Sequence, residues 1–536
     1  MFKDLPHLLI LCSTLLLLNS CGEDRSPAGQ STEINQRPNI LFAIADDASW
    51  KHFGAYGCDW VKTPAFDRIA AEGLLFNNAY VPNAKCSPSR SCILTGRNSW
   101  QLEEAVSHLP YFPEKFVTYA EALDSSGYWV GATGKPWAPG VQGTLNGKAR
   151  ELAGQKFDEF KLQPPAKFIS KIDYARNFDD FLEKRPKGEP FCFWYGGSEP
   201  HRAYEYGAAL RLTDKKLSDI DEVPSFWPDV DSVRTDMLDY AYEIEYFDGH
   251  LSRMIESLEA SGELDNTIIV VTADNGMPFP RIKGQVYEYS NHLPLAIRWP
   301  KGIKKPGRTI EDFVNFIDFA PTFMEAAGVS PEFTGMQPIT GRSLSDIFGS
   351  EKDGMVTNDR DYVLVGKERH DIGRPNDQGY PVRGIFKGDY LYLKNFHPER
   401  WPVGNPETGY LNTDGSPTKS YLLNTRRVAK IQKWWQLNFG KRVQEEVYNI
   451  KDDPYCMNNL ADSPKIQEQK KAMIAAMTEQ LMLQDDPRMT GNSQVFDSYL
   501  YSGEDVRDFY NRFMAGEEMR TGWVNNSDFE SGVIEE

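Results

Sequence analysis

Four features of the chain carry residues that could do chemistry. The run Asn39 to Ala45 ends in Asp46-Asp47, and Thr267 to Ala273 repeats the form and ends in Asp274-Asn275-Gly276. One acidic pair after a strand is ordinarily a turn or a helix cap. Two such pairs, in a chain with basic residues in suitable register, point to a carboxylate cluster held at strand ends. Between them residues 86–97 read CSPSRSCILTGR, a cysteine followed at fixed spacing by Pro88, Ser89, Arg90, Thr95, Gly96 and Arg97. A cysteine before a proline would by itself be structural, but the whole run is more specific than packing requires. His201, in Glu199-Pro200-His201-Arg202, is one of only eight histidines, and an imidazole can donate a proton at neutral pH.

The cysteines narrow the options. Of seven, Cys12 and Cys21 lie in the N-terminal segment, leaving Cys58, Cys86, Cys92, Cys192 and Cys456. An odd number of scattered cysteines is not a disulfide scaffold. None has a close Cys or His partner at zinc spacing, so at least one is free or chemically altered.

The run from Cys86 to Arg97 resembles the signature of the formylglycine-dependent sulfatases, and the likeness reaches from about residue 37 to about residue 465. The pattern looks nearest to bacterial relatives of heparan N-sulfatase, which does not decide N-sulfate against O-sulfate. The resemblance implies that a sulfatase-maturating enzyme oxidises Cys86 to the aldehyde formylglycine, whose hydrate is the nucleophile. It implies that Asp46, Asp47, Asp274 and Asn275, with residue 86, hold Ca2+, or less readily Mg2+. Three carboxylates and a carboxamide are hard ligands suited to either ion, and carboxylates so close repel one another without a cation. Arg90 matches the arginine that steadies nucleophile and metal ligands. Lys135, in Thr133-Gly134-Lys135, and Lys283, in Arg281-Ile282-Lys283-Gly284, match the sulfate-binding lysines. His201 matches the histidine that protonates the leaving oxygen. One hydroxyl of the hydrated aldehyde would attack sulfur in line, and the second would drive release by C–O cleavage.

One position departs from the family. Many sulfatases carry a histidine two residues after the first lysine; here Gly134-Lys135-Pro136-Trp137 puts Trp137 there, and an indole only donates. His292 or His370 could take the base's role if the fold brings one close, and Trp137 is otherwise placed against the substrate. The stretch 366–400 is rich in cationic and amide groups, among them His370, Arg374, Asn376, Asp377, Arg383 and His397. Arginine forks match planar anions, so these residues, with His292, are expected to form a wall that recognises a sulfated sugar. A pocket closed by that segment would favour a chain end, hence an exo-acting enzyme.

Elements must position these groups. The apolar runs at 39–45, 191–196 and 267–273 read as buried parallel strands. Met237, Ile244, Phe247, Leu251, Met254 and Leu258 recur at helical spacing, predicting a helix from about Arg234 to Ala260 with Gly262 as its stop. Phe313 to Ala327 is a shorter helix candidate, and a helix starting near Pro88 would place Arg90 one turn after Cys86. Alternating strands and helices predict an α/β fold, a mostly parallel central sheet flanked by helices, whose ligands gather beyond the C-terminal strand ends; the family resemblance makes it alkaline phosphatase-like. Residues 384–393 read as two strands round a turn, 445–461 as loop and 465–483 as helix. The expected organisation is a signal segment (1–21), a linker (22–37), a catalytic domain (38–375) and a smaller domain with an antiparallel sheet (376–536) that contributes to the pocket.

Composition sets outer limits. With 536 residues and 40% apolar side chains the chain is an ordinary globular one, and its formal net charge of -18 excludes nonspecific nucleic-acid binding. Leu8 to Leu18 is too short to span a membrane comfortably and suits a signal h-region. Leu18-Asn19-Ser20-Cys21 resembles a bacterial lipobox, which implies lipidation of Cys21 and anchoring to the outer membrane of a Gram-negative bacterium, facing the periplasm or the cell surface. Two other readings compete: a formylglycine enzyme acting on phosphodiesters, and a sulfated-glycan binding lipoprotein without turnover.

Overall fold

The apolar runs do become strands, and their register decides where the acidic pairs fall. In the computed structural model, residues 37–429, 432–532 and 534 are described. The signal segment with Cys21, and the linker up to residue 36, lie outside them. The main sheet has eight strands: β1 (Asn39–Ala45), β2 (Leu74–Phe76), β3 (Trp129–Gly134), β4 (Gln155–Lys156), β5 (Phe191–Gly196), β6 (Thr267–Ala273), β7 (Leu295–Arg298) and β8 (Arg308–Ile310), in the order β8-β2-β7-β6-β1-β5-β3-β4. Every pairing is parallel except those of β7 with β6 and β2. Ala45 sits opposite Ala273, Ile44 opposite Gly196, and Gly134 opposite Gly196. The residues that follow these strand ends therefore emerge side by side at one edge of the sheet.

β1 and β6 are buried along their whole length, which their continuous apolar sequence requires. Alternation divides the core in two. Leu41, Ala43, Ile269 and Val271 meet the apolar face of α2 (Asp231–Ala260), whereas Ile40, Phe42, Ile268 and Val270 meet Ile93 and Leu94 of α1 (Cys86–Thr95) and Phe319 and Phe323 of α3 (Phe319–Ala326). Gly262, at φ 72°, stops α2 as expected: its N–H reaches Glu259 O, and the next N–H, of Glu263, reaches Leu258 O. That pair of bonds satisfies the last carbonyls.

α1 starts at Cys86, two residues before Pro88, which stands in the first turn, where no N–H is needed. All ten of its residues are buried. Two of its hydroxyls are satisfied within the helix: Ser91 Oγ donates to Ser87 O and Thr95 Oγ1 to Ser91 O, each at 2.7 Å. The segment from Phe313 is helical only from Phe316, because Val314–Asn315 pairs with Ala79–Tyr80.

The second sheet runs β9 (Tyr362–Lys367), β10 (Val382–Lys387), β11 (Tyr390–Asn395) and β12 (Glu445–Asn449), all antiparallel. Gly388, at φ 53°, makes the expected turn between β10 and β11. One reading is corrected here. The stretch after Glu445, read as loop, opens with a strand. Glu446, which disguised it, is buried and takes hydrogen bonds from Tyr287, Tyr448 and Asn395. The sheet begins at Tyr362, and residues from Arg37 onward form one unit. α4 (Pro417–Ala429) follows a loop that reaches the main sheet's edge, and α5 (Gln467–Leu483) covers the second sheet with Met473, Met477 and Leu481. Among the described residues no helix is long and apolar enough to cross a membrane.

Candidate active site

Strand register delivers the acidic pairs, and backbone hydrogen bonds lock them together. Asp274 N donates to Ala45 O at 3.1 Å, Asp46 N to Glu199 O at 3.0 Å and Lys135 N to Gly196 O at 2.8 Å. Four adjacent strands thus hand Asp274, Asp46, the Gly197–His201 turn and Lys135 to one spot. α1 points its first residue at the same spot: Cys86 Sγ is 3.5 Å from Asp46 Oδ1 and 3.9 Å from Asp47 Oδ1. Ligand atoms of Asp46, Asp47, Cys86 and Asp274 all lie within 4.8 Å of one another, and all four side chains are buried.

Cations surround this group. Arg90 Nε donates to Asp274 Oδ2 at 2.8 Å and Nη2 to Asp46 Oδ1 at 3.4 Å, while Nη1 bonds the carbonyls of Lys135 and Pro136. Lys135 Nζ is 2.5 Å from Asp46 Oδ2, and Lys283 Nζ is 2.6 Å from Asp47 Oδ2. Burial alone would discharge both lysines, yet the carboxylates beside them hold each ammonium above the usual lysine value. Burial would likewise raise Asp46, but Lys135, His201 and Arg90 outweigh it and hold that carboxyl well below its usual value. Asp274 goes the other way: burial, reinforced by Asp46 and Asp47 against the pull of Arg90, pushes it up to about 7. Burial also pushes the Cys86 thiol well up, with Asp46 and Asp274 adding to it and Lys135 opposing.

The group fits a hard divalent cation. Its donors are carboxylate and carboxamide oxygens, and Asn275 Oδ1 is buried without a partner. The unrelieved repulsion on Asp274 is what such an ion would remove.

His201 follows β5 and is a third exposed, with Nε2 3.9 Å from Asp47 Oδ2. Its Nδ1 bonds the backbone carbonyl of Arg202 at 2.6 Å, so Nδ1 carries a hydrogen and Nε2, facing the site, holds one only in the imidazolium. The protein packed round the ring, together with Lys283, lowers its pKa, and Asp47 and Asp46 oppose that.

Asp414 was not found from sequence. Its Oδ2 lies 2.8 Å from Lys283 Nζ, and a carboxylate oxygen of Asp414 lies within 4.8 Å of one of Asp47 and of a ring nitrogen of His201. Thr413-Asp414-Gly415-Ser416 reads as a turn, and nothing in its sequence says the loop reaches the sheet's edge. Lys283 holds its carboxyl far below the usual value despite burial. Lys85, Asp371 and His108 were also missed. Asp371 bridges Lys85 Nζ at 2.6 Å and His108 Nδ1 at 2.5 Å, and Lys85 directly precedes Cys86 in the chain.

The expected sugar-reading wall is largely taken up by the fold. Trp137 is a core residue: it is 3% exposed, its Nε1 donates to Ser91 Oγ at 2.9 Å and its ring meets Phe112 edge-on. Arg383 is ion-paired with Glu368 and Asp486, and Arg374 donates to the carbonyls of Trp401 and Pro402. Asn376 and Asp377 hold Asn511 and Asp508 of the C-terminal segment. His397 pairs with Glu399 beyond β11. His292 bonds Glu288 and stacks between Trp50 and Tyr80. These seven side chains make these contacts with residues outside the cluster. His370 lies against the Lys283 loop. Its Nε2 bonds Asn83 Oδ1 at 2.7 Å, leaving Nδ1 a bare acceptor against Gly284, the residue after Lys283.

Comparison with known proteins agrees with this geometry. The family model described as Sulfatase matches residues 38–329. An ulvan-active sulfatase of Formosa agariphila is 28% identical over 497 residues, covering 89% of this chain and 88% of its own. The human N-sulphoglucosamine sulphohydrolase is 26% identical over 485 residues, covering 85% and 89%. A structure solved in complex with its substrate D-glucosamine-2-N,6-O-disulfate superposes with a TM-score of 0.57 at 22% identity, covering 84% of this chain and 99% of its own.

Proposed function

The chain belongs to the sulfatase family, and from that premise we propose that it hydrolyses sulfate esters at the end of a sulfated carbohydrate, using residue 86 as formylglycine beside a calcium ion. The observation that carries the reading is the convergence of Cys86 with Asp46, Asp47, Asp274, Lys135, Lys283 and His201 at one sheet edge. Charge supports it. Asp46, Asp47, Asp274 and Asp414 face Arg90, Lys135 and Lys283, a balance of four negative against three positive side chains. A divalent cation turns that deficit into a single positive charge, which suits a monoanionic sulfate ester.

Asp46, Asp47, Asp274 and Asn275 would hold the calcium ion, which supplies charge stabilisation for sulfate oxygens. Converted to its hydrated aldehyde, residue 86 supplies one hydroxyl to take the sulfuryl group and a second to let it go. The chain's own side chains do the rest. Lys135 and Lys283 clamp the sulfate oxygens where charge shifts during transfer. Arg90, tied to Asp46 and Asp274 and to the backbone after β3, fixes the carboxylates relative to α1. His201 hands its Nε2 proton to the departing sugar oxygen.

The identities of 28% and 26% to an ulvan-active sulfatase and to an N-sulphoglucosamine sulphohydrolase keep cleavage of an N-sulfate as the second reading. A panel of defined sulfated mono- and disaccharides, scored for free sulfate, decides between them, and release from none would end the reading. An unmodified Cys86 after coexpression with a sulfatase-maturating enzyme, where a control sulfatase matures, would favour a glycan binder. The Leu18–Cys21 motif supports lipid anchoring at the periplasmic or outer face of the outer membrane; Cys21→Ser should then move the protein out of the membrane fraction.

A further inference from the structure

Beside the cluster lies a second cavity, of about 340 Å3, lined by residues of the His201 loop, of α2, of the loop before α4 and of the C-terminal segment. Arg202 and Gly415 border it, and they directly follow His201 and Asp414, whose side chains lie within 4.8 Å of each other. Neighbouring Cα atoms are about 3.8 Å apart. The cavity therefore begins one residue beyond His201 and one residue beyond Asp414.

The charges in its wall are already engaged. Arg202 is bidentate to Asp236 at 2.7 and 2.8 Å, Thr418 Oγ1 donates to Asp236 at 2.6 Å, and Asp239 accepts the N–H groups of Gly207 and Ala209 at 2.7 and 2.9 Å. What remains to meet a ligand is uncharged. Tyr206 is 54% exposed and makes no hydrogen bond or ring contact among the described residues. Around it stand the hydroxyls of Ser416 and Ser420 and the amide of Asn525. Ser416 Oγ accepts from Lys419 N and Ser420 Oγ from Asn525 Nδ2, and neither hydroxyl donates to another group among the described residues; an aromatic face beside such hydroxyls suits the C–H face and hydroxyls of a sugar ring. Pocket volumes for small ligands run from roughly 300 to 1,000 Å3, so this one holds a single ring. It is also a built feature: Gly415 N bonds Trp523 O at 2.7 Å, and the buried pair Lys419–Asp528, at 3.1 Å, fastens the C-terminal segment that brings Asn525.

We propose that this cavity is the subsite for an uncharged pyranose adjoining the residue that loses its sulfate, so that the enzyme reads a disaccharide rather than one sulfated sugar. The inference rests on the sulfatase reading above. It is tested on the matured full-length enzyme with 6-O-sulfo- and N-sulfoglucosamine, each free and joined to one further neutral hexose, taking whichever sugar the wild type desulfates. Tyr206→Ala removes the stacking face, and Ser420→Trp fills the cavity. In each, the ratio of kcat/KM for the disaccharide to that for the monosaccharide should fall by about tenfold, through KM. A ratio unchanged in both variants overturns the subsite while leaving the sulfatase reading intact. A wild type that desulfates none of these sugars or the wider panel removes the premise and the inference with it.

Discussion

Cys86 Sγ lies 3.5 Å from Asp46 Oδ1 across 40 positions of sequence. The contact joins the first residue of a helix to the first residue after a strand, so neither partner is free to drift. It puts residue 86 against a carboxylate cluster, where a diol would meet sulfate already held by cations.

Metal removal gives the first prediction. Chelation with EGTA should abolish sulfate release, and added Ca2+ should restore it. The ion should also raise the unfolding temperature, because a ligand at about 100 times its Kd contributes about 2.7 kcal/mol. Asp274→Asn, which removes a carboxylate from the cluster, should lower calcium affinity in a direct titration. Full activity of the chelated enzyme would contradict the proposal.

The His201 assignment separates substrates by leaving group. His201→Ala should lose roughly 10²- to 10⁴-fold in kcat on a sugar sulfate, whose alkoxide needs a proton. The loss should be far smaller on 4-methylumbelliferyl sulfate, whose phenolate leaves without one. Equal losses on both would remove the histidine from that role.

The clamping lysines have their own signature. Lys283→Ala should cost on the order of 10²–10³ in kcat, as for loss of one preorganised charge-stabilising group, and inorganic sulfate should inhibit the variant less than wild type. An unchanged inhibition constant for sulfate would place Lys283 outside the sulfate pocket.

Asp371 should matter to stability. Burial would raise its carboxyl, but Lys85 and His108 pull it far below the usual value. A depressed carboxyl stabilises the fold fully above its unfolded pKa, about 3.9, and loses that contribution as pH falls below it. Breaking such a buried pair costs roughly 3–5 kcal/mol. Asp371→Asn should therefore unfold earlier in denaturant at pH 7, with the gap to wild type narrowing below about pH 4. A gap independent of pH would mean that packing rather than charge is responsible.

Much of the site was legible because strand ends advertise themselves. The apolar runs before Asp46 and Asp274 had to be buried strands, and once parallel and in register they left their polar successors at one edge. Cys86 and Arg90 were legible because, with Pro88, Ser89, Thr95, Gly96 and Arg97, they match the signature that the run at 86–97 resembles. Asp414 and the Lys85–Asp371–His108 group were not, since long-range packing of the second sheet and its loops brings them in. The arginines at 374 and 383 misled for the opposite reason. A guanidinium that satisfies a buried carboxylate or carbonyl looks, in sequence, the same as one that waits for an anion. Trp137 marked a real departure, but its indole turned inward to Ser91 rather than toward a sugar.

The central claim is tested most directly by sulfate release from the defined sugar panel, using wild type and Cys86→Ala purified after coexpression with a sulfatase-maturating enzyme, with the peptide bearing residue 86 weighed in parallel. The wild-type peptide should show the side chain –CH2SH replaced by –CHO, and the substitution should reduce sulfate release by at least about 10³-fold. Sulfate release by Cys86→Ala at the wild-type rate would contradict the account.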